Sequence, residues 1–343
     1  MIEWLIAADD RTGSLEVAGE FANIFGPTTV RSDVSGSDRW QVVDLASRHL
    51  DRDAAISRAT AIGGVSATFS AHKIDSMLRG NWADELVARS TAANQRVLLI
   101  PSWPVLGRTC RSGRVFVDDV DVGRPADHIR KAGSLKISEI NSPSGIERWS
   151  LSSNDIGVCN ARTTDELIAV ARVAAHVMSS NDVLLAGPSG AIGAVVQAMS
   201  PATTVATATM SLPVLVACGS MDGRAREQIE LLRTHAGSDV EVVATPHRTV
   251  STEHISSVAQ DLVAQVNDWL ARHSATGTLV IVGGDTAASL MGLGPWVVGG
   301  YMAAGMPWCT LPDAPDLLVV TKAGNFGSAN ALVELIHGSD SGS

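Results

Sequence analysis

Two adjacent carboxylates, Asp9 and Asp10, stand in "AADDRTGS" (residues 7–14), between a short apolar run and a Thr-Gly turn. Carboxylates placed there can accept hydrogen bonds from substrate hydroxyls, and one can take a proton as a general base. The same position suits an aspartate that caps the next helix, and both readings stay open. In "KIDSMLRGN" (73–81), Lys73 and Asp75 are two apart, so an extended segment points both to one side. Arg79 can fork a carboxylate; a surface salt-bridge set before a helix is the plainer alternative. In "PSWPVLGRTCRSGR" (101–114), Arg108, Arg111 and Arg114 recur at intervals of three with no acid among them, broken by Gly107 and Gly113. That reads as a stiff loop able to hold a carboxylate or phosphate through Arg108, with Arg111 and Arg114 solvated.

Glycine-rich turns supply a second kind of chemistry. "LLAGPSGAIGA" (184–194) has the form strand, glycine turn, helix, which suits an anion at a helix N-terminus. Close helix–strand packing explains the same glycines, and Pro188 and Ser189 break the dinucleotide fingerprint. Three further strand-then-turn segments fall in the last third: "VACGSMDG" (216–223), "VIVGGDTAAS" (280–289) and "TKAGNFGS" (321–328). Amides in such turns approach phosphates where a Cβ would clash. Asp285 can bind Mg²⁺ directly or through water, and Lys322 can neutralise phosphate charge. No GxxxxGK[ST] occurs, so a P-loop is excluded.

The elements that must position these groups follow from the apolar pattern. Strands are expected at 4–8, 97–100, 183–186, 214–217, 279–282 and 317–321, most of them followed by a turn and a helix. That alternation predicts an α/β fold with largely parallel sheets. Ile255, Val258, Leu262, Val263, Val266, Trp269 and Leu270 share one face of a helix over 254–273. Thr163 and Glu166 have capping-box spacing.

The chain has 343 residues, enough for two domains. Residues 199–213, rich in Ala and Thr, are the expected boundary, dividing 1–205 from 206–343. The tail from 337 is expected to fray. A net charge of -10 argues against nucleic acid and anionic membranes. No stretch reaches about 18 uninterrupted apolar residues, and the first residues lack the basic start of a signal peptide. The four cysteines show no metal spacing and fit a reducing, cytoplasmic setting.

Taken in order, the segments resemble the four-carbon acid sugar kinase family. Family members carry "ADDLTGA" near the start; here the stretch is Ala8-Asp9-Asp10-Arg11-Thr12-Gly13-Ser14. Lys73, Asp75, Ser76, Leu78, Arg79, Gly80 and Asn81 match a second motif, with Met77 in place of Thr. Gly107, Arg108 and Thr109 match a third, with Cys110 departing. The C-terminal half is similar to the family's nucleotide domain at Gly219-Ser220, Gly283-Gly284-Asp285-Thr286-Ala287 and Lys322-Ala323-Gly324-Asn325-Phe326-Gly327. A family glutamate is replaced by Tyr301.

The resemblance implies two domains with largely parallel sheets flanked by helices, and a ligand site in the cleft between them. Residues 1–205 would bind the acid sugar and 206–343 would bind ATP with Mg²⁺. It implies Asp9 or Asp10 as base, and Lys73, Asp75, Arg79 and Arg108 as substrate holders. ATP would sit against Ser220, Gly283, Gly284, Asp285, Thr286, Lys322 and Gly324, with Asp285 toward the metal. The rival readings are a kinase of another small hydroxy acid or polyol, a nicotinamide-dependent oxidoreductase, or a non-catalytic metabolite-binding relative. The expected partner is a small molecule, and the commonest oligomer, a homodimer, is the expected assembly.

Overall fold

The run Trp4-Leu5-Ile6-Ala7-Ala8 carries no charged residue, which suits a strand covered on both faces. In the computed structural model of the chain it is β1 (Trp4–Ala8), buried at every residue. The structure describes residues 1–200, 207–246, 252–273, 277–292, 294–311 and 314–338, without the side chains of 252–257. The chain divides into two units, Met1–Val205 and Ala206–Ser343. Of the expected boundary segment, residues 201–206 lie outside the described residues, as do 339–343 of the tail.

The first unit continues through α1 (Arg11–Phe25), β2 (Thr28–Arg31), β3 (Trp40–Asp44), α2 (Arg52–Gly63), β4 (Phe69–Lys73), α3 (Trp82–Ala93) and β5 (Arg96–Leu99). After β6 (Arg108–Arg111), β7 (Arg114–Val117) and β8 (Val120–Gly123) come α4 (Pro125–Ala132), β9 (Ile137–Ile140), α5 (Pro143–Ser150), β10 (Ile156–Cys159), α6 (Thr164–Met178), β11 (Val183–Gly187) and α7 (Ser189–Met199). Its main sheet runs β2-β3-β1-β4-β11-β5-β10-β9, with every neighbouring pair parallel. From β1 the chain first builds toward β2 and β3, then crosses to β4 on the other side. The strand order therefore reverses at β1, and ligands of open α/β sheets bind outside the strand ends at such a switch point. The three ends are level, because Ala8 is the register partner of both Asp44 and Lys73.

Apolar side chains pack on one face of this sheet in two clusters, while Ile6, Val42, Leu98 and Leu185, which alternate with their members along the strands, are buried on the other. Ile74, Trp82, Leu86, Leu99, Ile156 and Leu184 pack in one cluster, and Leu5, Ala7, Val43, Leu45 and Ile62 in another. Burying one such side chain fully contributes about 1.5–3 kcal/mol.

The arginine-rich segment is not a loop. β6, β7 and β8 form a three-stranded antiparallel sheet, turned at Ser112-Gly113 (φ 50° and 66°) and Asp118-Asp119 (φ 48° and 64°). Both central residues of each turn are at positive φ, as tight two-residue hairpins of the I′ type require. The acids that answer the arginines come from the next turn and the strand after it: Arg111 meets Asp119 at 3.8 Å and Arg114 meets Asp121 of β8 at 2.6 Å.

The second unit comprises β12 (Val214–Cys218), α8 (Gly223–His235), β13 (Val240–Ala244), α9 (Thr252–His273), β14 (Gly277–Val282), α10 (Gly284–Met291), β15 (Trp296–Ala303), β16 (Met306–Leu311), β17 (Ala314–Lys322) and α11 (Ala331–His337). Its strands run β13-β12-β14-β17-β16-β15. The first three pairs are parallel, while β16 pairs antiparallel with both β17 and β15. The sheet is largely parallel as expected, with an antiparallel edge. Ala303 pairs with Met306, so Ala304-Gly305 is a two-residue hairpin loop, with Gly305 at φ 70°. The helix expected over 254–273 is α9, with Leu262, Val266 and Trp269 buried; the side chain of Ile255 lies outside the described residues.

Candidate active site

Asp10 is the helix cap that the sequence allowed. It is the N-cap of α1, in extended conformation at φ -143°, and its Oδ1 accepts from Gly13 N at 2.9 Å. Its Oδ2 accepts from Arg48 Nη1 at 2.7 Å, and Lys73 Nζ stands 3.7 Å from Oδ1. Asp9 is fully buried, whereas the Asp10 side chain is 14 % exposed.

The group that joins these carboxylates, Arg48, was not singled out in the sequence. It lies in the turn after β3, where Ser47 N and Arg48 N donate to Asp9 O at 2.9 and 3.1 Å. Its guanidinium forks Asp9, with Nε to Oδ2 at 2.8 Å and Nη2 to Oδ1 at 3.0 Å, and stands 3.3 Å from Asp75 Oδ1. The signal that would have found it is an arginine four residues after the acidic end of a strand beside β1.

At the end of β4, Lys73 is 5 % exposed and Asp75 4 %. Asp75 accepts from Met77 N at 3.1 Å and Arg79 N at 3.0 Å. The Arg79 fork, read as a clamp for substrate, closes on Asp75 instead, with Nε and Nη2 each at 2.9 Å. Arg108 is also placed differently from the expectation: it opens β6, is 1 % exposed, and directs its guanidinium to Leu106 O.

The electrostatics follow from burial and this mutual pairing. Burial pushes the Asp9 carboxyl up to about 7, against the pull of Arg48. Glu16, on α1, is pushed up to about 7 by burial, opposed by Lys73 and by a hydrogen bond from Ser189. Burial would raise Asp75 too, but the Arg79 hydrogen bonds and the charges of Arg48, Arg79 and Lys73 hold it below the ordinary carboxylate range. Burial disfavours the Lys73 ammonium, yet Asp10, Glu16 and Asp9 outweigh it and raise its pKa.

The glycines at 187–193 serve packing. A Cβ at Gly187 would lie 2.5 Å from Ile100 O, one at Gly190 would enter the Trp103 indole, and one at Gly193 would strike Glu20.

In the second unit, Cys218, Val282 and Lys322 are successive register partners across β12, β14 and β17. The turns that follow therefore start on one level edge. Gly219 N donates to Thr286 Oγ1 at 3.1 Å and Gly283 N to Lys322 O at 2.9 Å. A Cβ at Gly324 would collide with Ser220 Oγ, and one at Gly219 with Thr286 Oγ1. Gly283, at φ 111°, caps α10 with no side-chain cap hydrogen bond. The Gly219 and Gly283 amides are thus paired within the protein and hold the turns together, beside the N-terminus of α10, the kind of backbone at which phosphates bind.

Lys322 departs from its expected role. It is 0 % exposed, and Nζ donates to Ala323 O at 2.9 Å and Gly324 O at 3.4 Å, so it shapes the third turn. Asp285 is exposed in the first turn of α10. No group of three or more His, Cys, Asp or Glu side chains able to hold a metal occurs among the described residues. The exposed Asp285 carboxylate fits Mg²⁺ carried in on phosphates, which takes only one or two protein carboxylates.

Residues 4–132 match the family model described as a sugar-binding N-terminal domain, and 247–332 match that of a nucleotide-binding C-terminal domain. The chain is 26 % identical to a D-threonate kinase of Cupriavidus necator, over 96 % of each chain. It is 26 % identical to one of Bordetella bronchiseptica, over 96 % of this chain and 95 % of that protein. A D-threonate kinase of Salmonella typhimurium is 24 % identical over 98 % of both. The fold is shared with a Salmonella typhimurium LT2 protein described only provisionally as a tRNA synthase (TM-score 0.75, 17 % identity, 97 % of this chain and 98 % of that one). It is shared also with a Haemophilus influenzae protein (TM-score 0.64, 18 % identity, 97 % and 99 %). With both domain models matched in order and kinases matched along nearly their whole length, the chain belongs to the four-carbon acid sugar kinase family.

Proposed function

We propose that this protein is an ATP-dependent kinase that phosphorylates a hydroxyl of a four-carbon acid sugar such as threonate or erythronate. The observation that carries the reading is the constellation at the switch point, where Asp9, Asp10 and Asp75 converge on Arg48 beside Lys73. The kinase relatives support the same chemistry.

Asp10 is the base or hydroxyl-orienting group, because it is the partly exposed member of the aspartate pair while Asp9 is sealed against Arg48. The acceptor oxygen forms a bond to the γ-phosphorus, the bond from phosphorus to the β-bridging oxygen breaks, ADP leaves, and the hydroxyl proton passes to Asp10. Lys73 and Arg48 offer the positive charge that draws in the acid's carboxylate and stabilises the transferring group. Asp75 holds Arg48 and Arg79 in place. Ser220, Gly283, Gly284, Thr286 and Gly324 receive the nucleotide, and Lys322 keeps the third turn in shape. Asp285 would hold Mg²⁺, which when bound neutralises charge on the β- and γ-phosphates.

Asp10→Asn tests the assignment. The amide keeps the cap geometry but accepts no proton, so kcat should fall by roughly 10²–10⁴ while ATP affinity by calorimetry stays unchanged. Wild-type turnover in this variant would remove Asp10 from the chemistry.

A further inference from the structure

Gln228 on α8 is 0 % exposed. Its Nε2 donates to Phe326 O at 2.9 Å and to Ser328 O at 2.7 Å. Because both partners are carbonyls, the nitrogen must face the 323–328 loop. Oε1 is buried and makes no hydrogen bond among the described residues. An apolar side chain of the same length would avoid that desolvation cost, so the two donated bonds are what the amide adds here.

The loop they reach carries Gly324, which packs on Ser220. It has no helix or strand of its own, so its shape depends on links from outside. Lys322 Nζ ties down its start through Ala323 O and Gly324 O. Gly327, at φ 82°, turns its far end against Ala331, where a Cβ would lie 2.7 Å from the alanine's. Gln228 holds the loop on either side of Gly327, through Phe326 O and Ser328 O.

We propose that Gln228 is a positioning residue for the nucleotide. It holds the 323–328 loop in the form that receives the phosphates of ATP, without touching ATP itself. This rests on the assignment of ATP to the Ser220, Gly283 and Gly324 turns. Thr286 and Lys322 link those turns to one another, whereas Gln228 links the third turn to a helix outside them. Its removal should therefore loosen one loop and leave the acceptor site as it was.

The test uses the full chain with Gln228→Met, which keeps length without donors, and Gln228→Glu. Amide exchange of the ATP-free protein should speed up roughly tenfold or more at 323–328 in both variants, and stay unchanged at 278–282 in β14. The KM for ATP should rise roughly thirtyfold for two lost hydrogen bonds, with the KM for D-threonate within about twofold of wild type. In Gln228→Glu, lowering pH from 8 to 6 should recover part of the ATP affinity, because a protonated carboxyl donates one bond; Gln228→Met should show no recovery. Should Gln228→Met fail to fold, the glutamate variant carries the test. Wild-type exchange at 323–328, or an unchanged ATP KM when wild type binds ATP by calorimetry, overturns the proposal alone. Wild type that binds no ATP overturns the nucleotide reading as well.

Discussion

Arg48 stands within 3.3 Å of three carboxylates, from Asp9, Asp10 and Asp75, with its side chain 14 % exposed. Removing one partner of such a buried set leaves uncompensated charge and costs about 3–5 kcal/mol. Arg48→Met should therefore lower urea stability by about that amount and abolish turnover; a loss below about 1 kcal/mol would show that the carboxylates relax by taking up protons. Glu16 gives a prediction in pH. Its ordinary value is 4.5 and its folded value about 7, so between these the folded state holds the extra proton. The stabilisation is complete below 4.5 and is lost as pH rises through 7. Glu16→Gln should equal wild type near pH 4.5 and exceed it at pH 8 by on the order of 2–3 kcal/mol. Urea melts at the two values check this, and a difference independent of pH would contradict it. Asp9, Asp10, Lys73 and Asp75 were legible because each sits in a short motif beside a strand end. Arg48 was not, since only the parallel pairing of β3 with β1 brings it to Asp9.

α1 shows tertiary contacts overriding helix propensity. Gly13 lies in its first turn, where alanine would favour the helix by up to about 1 kcal/mol. Yet a Cβ there would lie 2.6 Å from Asp10 Oδ1 and collide with Lys73 Nζ. Gly13→Ala should leave the melting midpoint within a few degrees of wild type while kcat/KM for the acid falls by roughly 10²-fold. Thermal melts and kinetics on one preparation decide it, and retained kcat/KM would mean that Lys73 has room to move. Arg11, where family members carry leucine, is compensated locally: its Nε meets Asp44 Oδ2 at 2.6 Å, both side chains buried. The parallel strands were legible as apolar runs. The β6–β8 meander was not, because its turns use Ser112, Asp118 and Asp119 at positive φ, where Asn-Gly or Asp-Gly would have announced a hairpin. The β15–β16 hairpin was hidden for a similar reason, its only mark being Gly305.

At the scale of the molecule, a net charge of -10 repels an anionic acid sugar and ATP alike, so attraction must be local. On the proposed reading it would reside in Arg48 and Lys73 in one unit and at the N-terminus of α10 in the other. If the turns of the second unit bind ATP, a saturating nucleotide should raise thermal stability by about 2.7 kcal/mol at 100-fold excess over Kd. Gly324→Ala, whose new Cβ would displace Ser220 Oγ, should lose most of that gain. The order of motifs along the chain already pointed to an acid half followed by a nucleotide half. The strand pairing at each site came only with the fold, because it joins residues far apart in sequence. The most direct measurement is acceptor-dependent ADP release from Mg²⁺-ATP with D-threonate, erythronate, 3-oxo-tetronates, longer aldonates and neutral polyols. ADP formed in proportion to a four-carbon acid, and lost in Asp10→Asn, is the predicted result. ADP release that no acid sugar stimulates, from a protein that binds ATP, would contradict the acceptor assignment.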